Sequence, residues 1–102
     1  MSIKKQYLKQ KPICKVTFTL PKKSVGNAKK VHLVGEFNNW DEKVSPMKKL
    51  KNGSFTTTIE LEKGKQYQFR YLIDGKKWEN DNDADSYIFS DFGNCDNSVV
   101  SI

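Results

Sequence analysis

One histidine, two cysteines and two tryptophans are the rare side chains of this 102-residue sequence. Each implies a different chemistry. Nucleophilic catalysis needs a base held against a nucleophile. His32 lies inside an alternating run with no triad partner beside it, and reads as an ordinary strand residue. Glycoside hydrolysis needs two carboxylates about 5–10 Å apart in a deep cleft, which so short a chain rarely builds. Alternating aspartates in Asp81-Asn82-Asp83-Ala84-Asp85-Ser86 imitate the start of a calcium loop. The rest of that motif is missing, since Ser86 stands where glycine must turn the loop and Phe92 where glutamate must close it. A solvated turn is the simpler reading. Cys14 and Cys95 lack C-x-x-C spacing and, with His32, do not make a zinc set. No catalytic residue, metal or cofactor is expected.

The tryptophans are more informative. Trp40 follows Phe37-Asn38-Asn39, and Trp78 follows Asp74-Gly75-Lys76-Lys77. Each stands at a strand edge among amide and charged residues, where a core tryptophan would have apolar neighbours. An exposed ring takes the flat apolar face of a pyranose, and nearby Asn, Arg and Lys bond its edge hydroxyls. Packing beneath a loop is the competing reading for either ring, and spacing alone does not choose.

The elements that would carry these residues are strands. Val16, Phe18 and Leu20 alternate with Lys15, Thr17 and Thr19 over residues 14–20, until Pro21 stops the run. Residues 22–30 read as a loop, 31–37 as a second strand, 38–46 as a loop and 47–50 as a short strand. Asn52-Gly53 is a turn. Phe55, Thr57, Ile59 and Leu61 line one face of the next strand. Tyr67, Phe69, Tyr71 and Ile73 then face away from Gln66, Gln68, Arg70 and Leu72. Asp74-Gly75 turns that strand back over 76–79. An acidic loop over 80–85 and short strands at 87–89 and 98–102 complete the chain. Helical periodicity is absent, so a sandwich or small barrel is expected. Residues 1–13, polar and patternless, read as a flexible N-terminal arm, leaving 14–102 as one β domain.

Eighteen Lys and Arg against 12 Asp and Glu give a net charge of +6. The lysines are scattered in short groups, which suits solubility better than nucleic-acid binding. Neither a signal-peptide core nor a membrane-spanning run is found, so a cytoplasmic location with reduced thiols is expected. The sequence alone does not decide whether Cys14 and Cys95 pair.

Three runs in order, Val31-His32-Leu33-Val34-Gly35-Glu36-Phe37-Asn38-Asn39-Trp40, then Tyr67-Gln68-Phe69-Arg70-Tyr71-Leu72-Ile73-Asp74-Gly75-Lys76-Lys77-Trp78, then Asp96-Asn97-Ser98-Val99-Val100, resemble carbohydrate-binding module family 48. That family includes glycogen-binding domains of AMP-activated protein kinase β subunits and early-set domains of isoamylases and branching enzymes. The resemblance implies an all-β, immunoglobulin-like early-set sandwich with a shallow α-glucan site. It implies stacking on Trp40 and Trp78, and a basic contact at Arg70, where the glycogen-binding members carry lysine. In its late loop Phe92 would pack on the glucan, with polar contacts from Asn94 and either Asp96 or Asn97. One extra residue separates Gly75 from Trp78. The expected function is non-catalytic binding of a glycogen- or starch-like glucan or maltooligosaccharide. The main rival is an early-set domain that docks a glucan-metabolising enzyme or kinase, its sugar site vestigial. Nucleic-acid binding and a glucan-metabolising enzyme rank lower. No membrane partner is expected.

Overall fold

Alternating apolar and polar side chains build two antiparallel sheets in the computed structural model, which describes residues 3–81, 83–90 and 95–102. Nine strands follow in order: β1 (Ile3–Tyr7), β2 (Ile13–Leu20), β3 (Val31–Gly35), β4 (Lys48–Lys49), β5 (Phe55–Glu62), β6 (Gln66–Ile73), β7 (Lys77–Glu79), β8 (Ser86–Ser90) and β9 (Cys95–Ser101). A single helical turn, α1 (Lys22–Val25), follows Pro21, and a 3₁₀ turn (Glu36–Asn38) follows β3. One sheet has the order β1-β2-β5-β4, and the other β3-β6-β9-β8 with β7 extending the β9 side of β6. This is the expected sandwich.

The core forms where the inner faces meet. Cys14, Val16, Phe18 and Leu20 of β2 are buried against Leu33, Phe69, Tyr71 and Val100 of the second sheet. Edge-on aromatic contacts run through its centre, with ring centroids 5.0 Å apart for Phe18–Phe69 and 5.7 Å for Phe69–Tyr71. On the solvent side of the first sheet, Thr17 pairs with Thr58 and Thr19 with Thr56 through hydroxyls 2.9 and 3.2 Å apart. Cys14 is a buried free thiol.

The N-terminal residues differ from the expected arm. Ile3–Tyr7 pairs along β2, in register from Ile3↔Phe18 to Tyr7↔Cys14. Ile3 enters the core, Lys5 Nζ lies 2.7 Å from Asp85 Oδ2, and the Tyr7 hydroxyl donates to the Ile102 carbonyl at 3.2 Å. Because Lys5 replaces an apolar residue on the inward face, the period-2 signal is hidden; charged residues at such places protect edge strands from stray pairing. The strand expected over 31–37 ends two residues earlier, at Gly35. The expected loop over 22–30 contains α1.

Candidate functional site

The loop bearing Trp40 is locked by the residues before it. A Cβ on Gly35 would lie 2.6 Å from the Gln68 carbonyl oxygen and 2.8 Å from Phe69 Cβ, so only glycine fits between β3 and β6. Glu36 Oε1 accepts the Gln68 backbone N–H at 2.6 Å, closing the ladder where β3 stops. Phe37 turns into the core, with ring centroids 6.0 Å from Phe18 and 6.2 Å from Tyr67. Asn38 ties the loop with three side-chain bonds: from Gly35 N at 3.0 Å, and to the Leu33 carbonyl at 2.9 Å and Ser45 Oγ at 3.1 Å. Asn39 and Trp40 follow at φ 57° and 58°. Asparagine tolerates that region, but a bulky aromatic there is strained. The Trp40 N–H donates to the Gly35 carbonyl at 2.8 Å, while its side chain is 38% exposed. The loop backbone is thus held in place with the indole partly exposed.

Trp78 is placed by the hairpin after β6. Asp74 and Gly75 have φ of 52° and 68°, and the Lys76 N–H donates to the Ile73 carbonyl at 3.0 Å. With the extra residue between Gly75 and Trp78 taken up after the turn begins, Trp78 pairs with Leu72. Cross-strand partners share a face, and Leu72 shares its face with Arg70. The Arg70 guanidinium carbon lies 6.0 Å from the Trp78 ring centroid, and Trp78 is 41% exposed. Asp74 fixes the turn by accepting the Lys29 and Lys30 N–H groups at 2.8 and 2.9 Å, and these bonds hold its carboxyl below the usual aspartate range.

From β9, Asn97 completes the arrangement. Its Oδ1 accepts from Arg70 Nε at 2.5 Å, and its Nδ2 donates to Gln68 Oε1 at 2.9 Å. Asn97 is 6% exposed, and its bonds brace the guanidinium. Arg70 therefore has one edge held, and among the described residues its other N–H groups make no hydrogen bond. Beneath the polar groups the same sheet face holds Val34, Leu72 and Val99, all buried.

The seven expected residues thus divide. Arg70, Trp78 and Asn97 come together on one face. Trp40 is on the neighbouring loop: strand rise and spacing put Trp78 about 14 Å from Gly35, and among the described residues Trp40 has no ring contact with Trp78. Asp96 pairs with Phe89 on the opposite side of β9 from Asn97, is exposed, and holds the Asn80 amide with its carbonyl at 2.8 Å. Phe92 and Asn94 lie outside the described residues. Gln68 was missed; its position two residues before Arg70 on one strand face was the available signal.

The acidic loop is also different from a solvated turn. Asp81 is 1% exposed. Its Oδ2 takes the Tyr71 hydroxyl at 2.6 Å and its Oδ1 the Asp83 N–H at 2.7 Å; its own N–H donates to Ser98 Oγ at 2.9 Å, and its carbonyl accepts the Tyr87 hydroxyl. Burial first, and the Asp81 charge and hydrogen bond next, push the Tyr71 phenol well above its ordinary pKa. The network pins the segment between β7 and β8 to β6 and β9. A tyrosine hydroxyl in a core strand needs a partner, and Tyr71 was the clue to it. Among the described residues no group of three His, Cys, Asp or Glu is placed to hold a metal.

A family model described as the glycogen recognition site of AMP-activated protein kinase matches residues 17–102. Among curated proteins, the 1,4-alpha-glucan branching enzyme GlgB of Halothermothrix orenii (strain H 168 / OCM 544 / DSM 9562) is 38% identical over 48 residues, which are 45% of this chain and 8% of that enzyme. The matched region is only a small part of that enzyme's length. With its G-x-F-N-x-W loop, D-G hairpin and matched sequence model in agreement, the chain belongs to the family of the glycogen recognition site of AMP-activated protein kinase.

Proposed function

We propose that this chain is a non-catalytic module that binds α-1,4-linked glucan across the Trp40, Arg70 and Trp78 surface. The observation that carries the reading is the half-exposed Trp78 ring beside a guanidinium already braced by Asn97. A pyranose stacks on the indole while the free Arg70 donors take adjacent hydroxyls; the brace lowers the entropy lost on binding. Trp40 supplies a second platform for a unit further along the chain. By the family resemblance Phe92 and Asn94 are further contacts, and the Arg70 bond favours Asn97 over Asp96 as the β9 residue. Two stacked rings and a few exposed bonds give a Kd of roughly micromolar to millimolar. Co-sedimentation with glycogen and starch, against a β-glucan control, tests the ligand class. Retention by the β-glucan alone, or by none of the three, would overturn it.

A second reading is docking onto a glucan-metabolising enzyme. It is favoured by the exposed Tyr87, Ile88 and Phe89 of edge strand β8, and by the relative in which the matched region is a small part of a large enzyme. The two uses are compatible at Tyr87 and Phe89, which face away from the Arg70 surface, whereas Ile88 pairs with Asn97 and lies on its side.

A further inference from the structure

On the free edge of β3, away from β9, residues 45–47 run alongside the strand. The Leu33 N–H donates to the Ser45 carbonyl at 2.9 Å and the Met47 N–H to the Val31 carbonyl at 2.8 Å. Between this segment, the 28–30 loop and β4 opens a pocket of about 300 Å³, lined by Lys29, Lys30, Val31, His32, Pro46, Met47, Lys49 and Phe55. Its volume is in the range of small-molecule sites.

Two properties of the lining point to one ligand class. The first is charge. Three of the lining residues are lysines and none is an acid. Lys49 Nζ is fixed at the pocket, 3.4 Å from the Ala28 carbonyl and 5.8 Å from the centre of the Phe55 ring. The Asp74 carboxylate accepts the Lys29 and Lys30 backbone N–H groups, which holds the loop in place. The second is the wall: exposed Pro46 and half-buried His32 line the pocket above the buried Val31, Met47 and Phe55. Three lysines at the rim suit a dianion, for which lysine acts as a point charge. The Pro46 and His32 rings suit the body that carries it.

We propose that this pocket binds a small phosphate monoester borne on a sugar or similar ring, at a site separate from the Arg70–Trp78 surface. The phosphate lies near Lys29, Lys30 and Lys49, and the ring rests against Pro46 and His32. Nothing in this assignment requires the glucan reading.

The test is an NMR titration of the full chain with glucose 6-phosphate, inorganic phosphate and glucose in parallel. Glucose 6-phosphate should shift the amides of residues 29–32 and 46–49 saturably, with a Kd at least roughly fivefold below that of inorganic phosphate, a small gain of the kind one ring contact gives. Glucose should leave those amides unmoved. Lys49→Ala should weaken the ester at least about threefold, and Lys49→Arg, which keeps the charge, should restore most of the affinity. Equal affinity for both phosphates, shifts spread over distant lysines such as Lys4 and Lys63, or an unaffected Lys49→Ala variant would each overturn the proposal.

Discussion

Arg70 shows how much a single side chain depends on its brace. Asn97→Ala leaves the guanidinium charged but unheld, so glucan affinity should fall by about three- to tenfold, equal to the loss of one hydrogen bond worth roughly 1 kcal/mol. Titration calorimetry of the folded variant measures it; unchanged affinity would mean the bond does not position Arg70. Tyr71→Phe leaves the buried Asp81 carboxylate short of one donor, and should cost about 1–3 kcal/mol in urea unfolding without altering glucan affinity. The raised phenol pKa adds a direction with pH. The folded state holds the Tyr71 proton more tightly than the unfolded state does, so this contribution is present below the ordinary tyrosine pKa of about 10 and is lost above it. Wild-type stability should therefore fall as pH rises past that value, and the fall should be shallower in Tyr71→Phe.

Elements that repeat every two residues were legible; those governed by contacts distant in sequence were not. The alternation of β2, β5 and β6 and the turn chemistry at Asp74-Gly75 give their strands directly. β1 escaped because its inward Lys5 answers Asp85, eighty residues away. The same holds for Asp81, whose partners are on β6, β8 and β9. Arg70 and Trp78 could be set on one face from strand parity, but that Asn97 and not Asp96 faces Arg70 required the β9 register. Removing residues 1–7 should lower stability by at least the roughly 1.5–3 kcal/mol that burying Ile3 provides, with glucan affinity unchanged because β1 belongs to the other sheet. Thermal unfolding and calorimetry on the shortened chain check both halves. Gly35→Ala should cost about 1–3 kcal/mol or more, since backbone and Phe69 both occupy the space a methyl needs.

The whole molecule presents two dissimilar surfaces: an indole–guanidinium face on β6, β7 and β9, and a lysine-lined pocket on the β3 edge. Stacking and hydrogen bonds to a neutral sugar respond little to ionic strength, whereas contacts with an anion are screened. Glucan affinity should therefore stay nearly constant from low to physiological salt despite the net charge of +6. The most direct test of the glucan account follows the two indole N–H signals by NMR during titration with β-cyclodextrin, in the wild type and in Trp78→Ala. The account predicts that both signals shift saturably in the wild type, and that Trp78→Ala keeps a native amide spectrum while binding is lost. Indole signals that do not move, or a Trp78→Ala chain that stays folded and binds as well as the wild type, would contradict it.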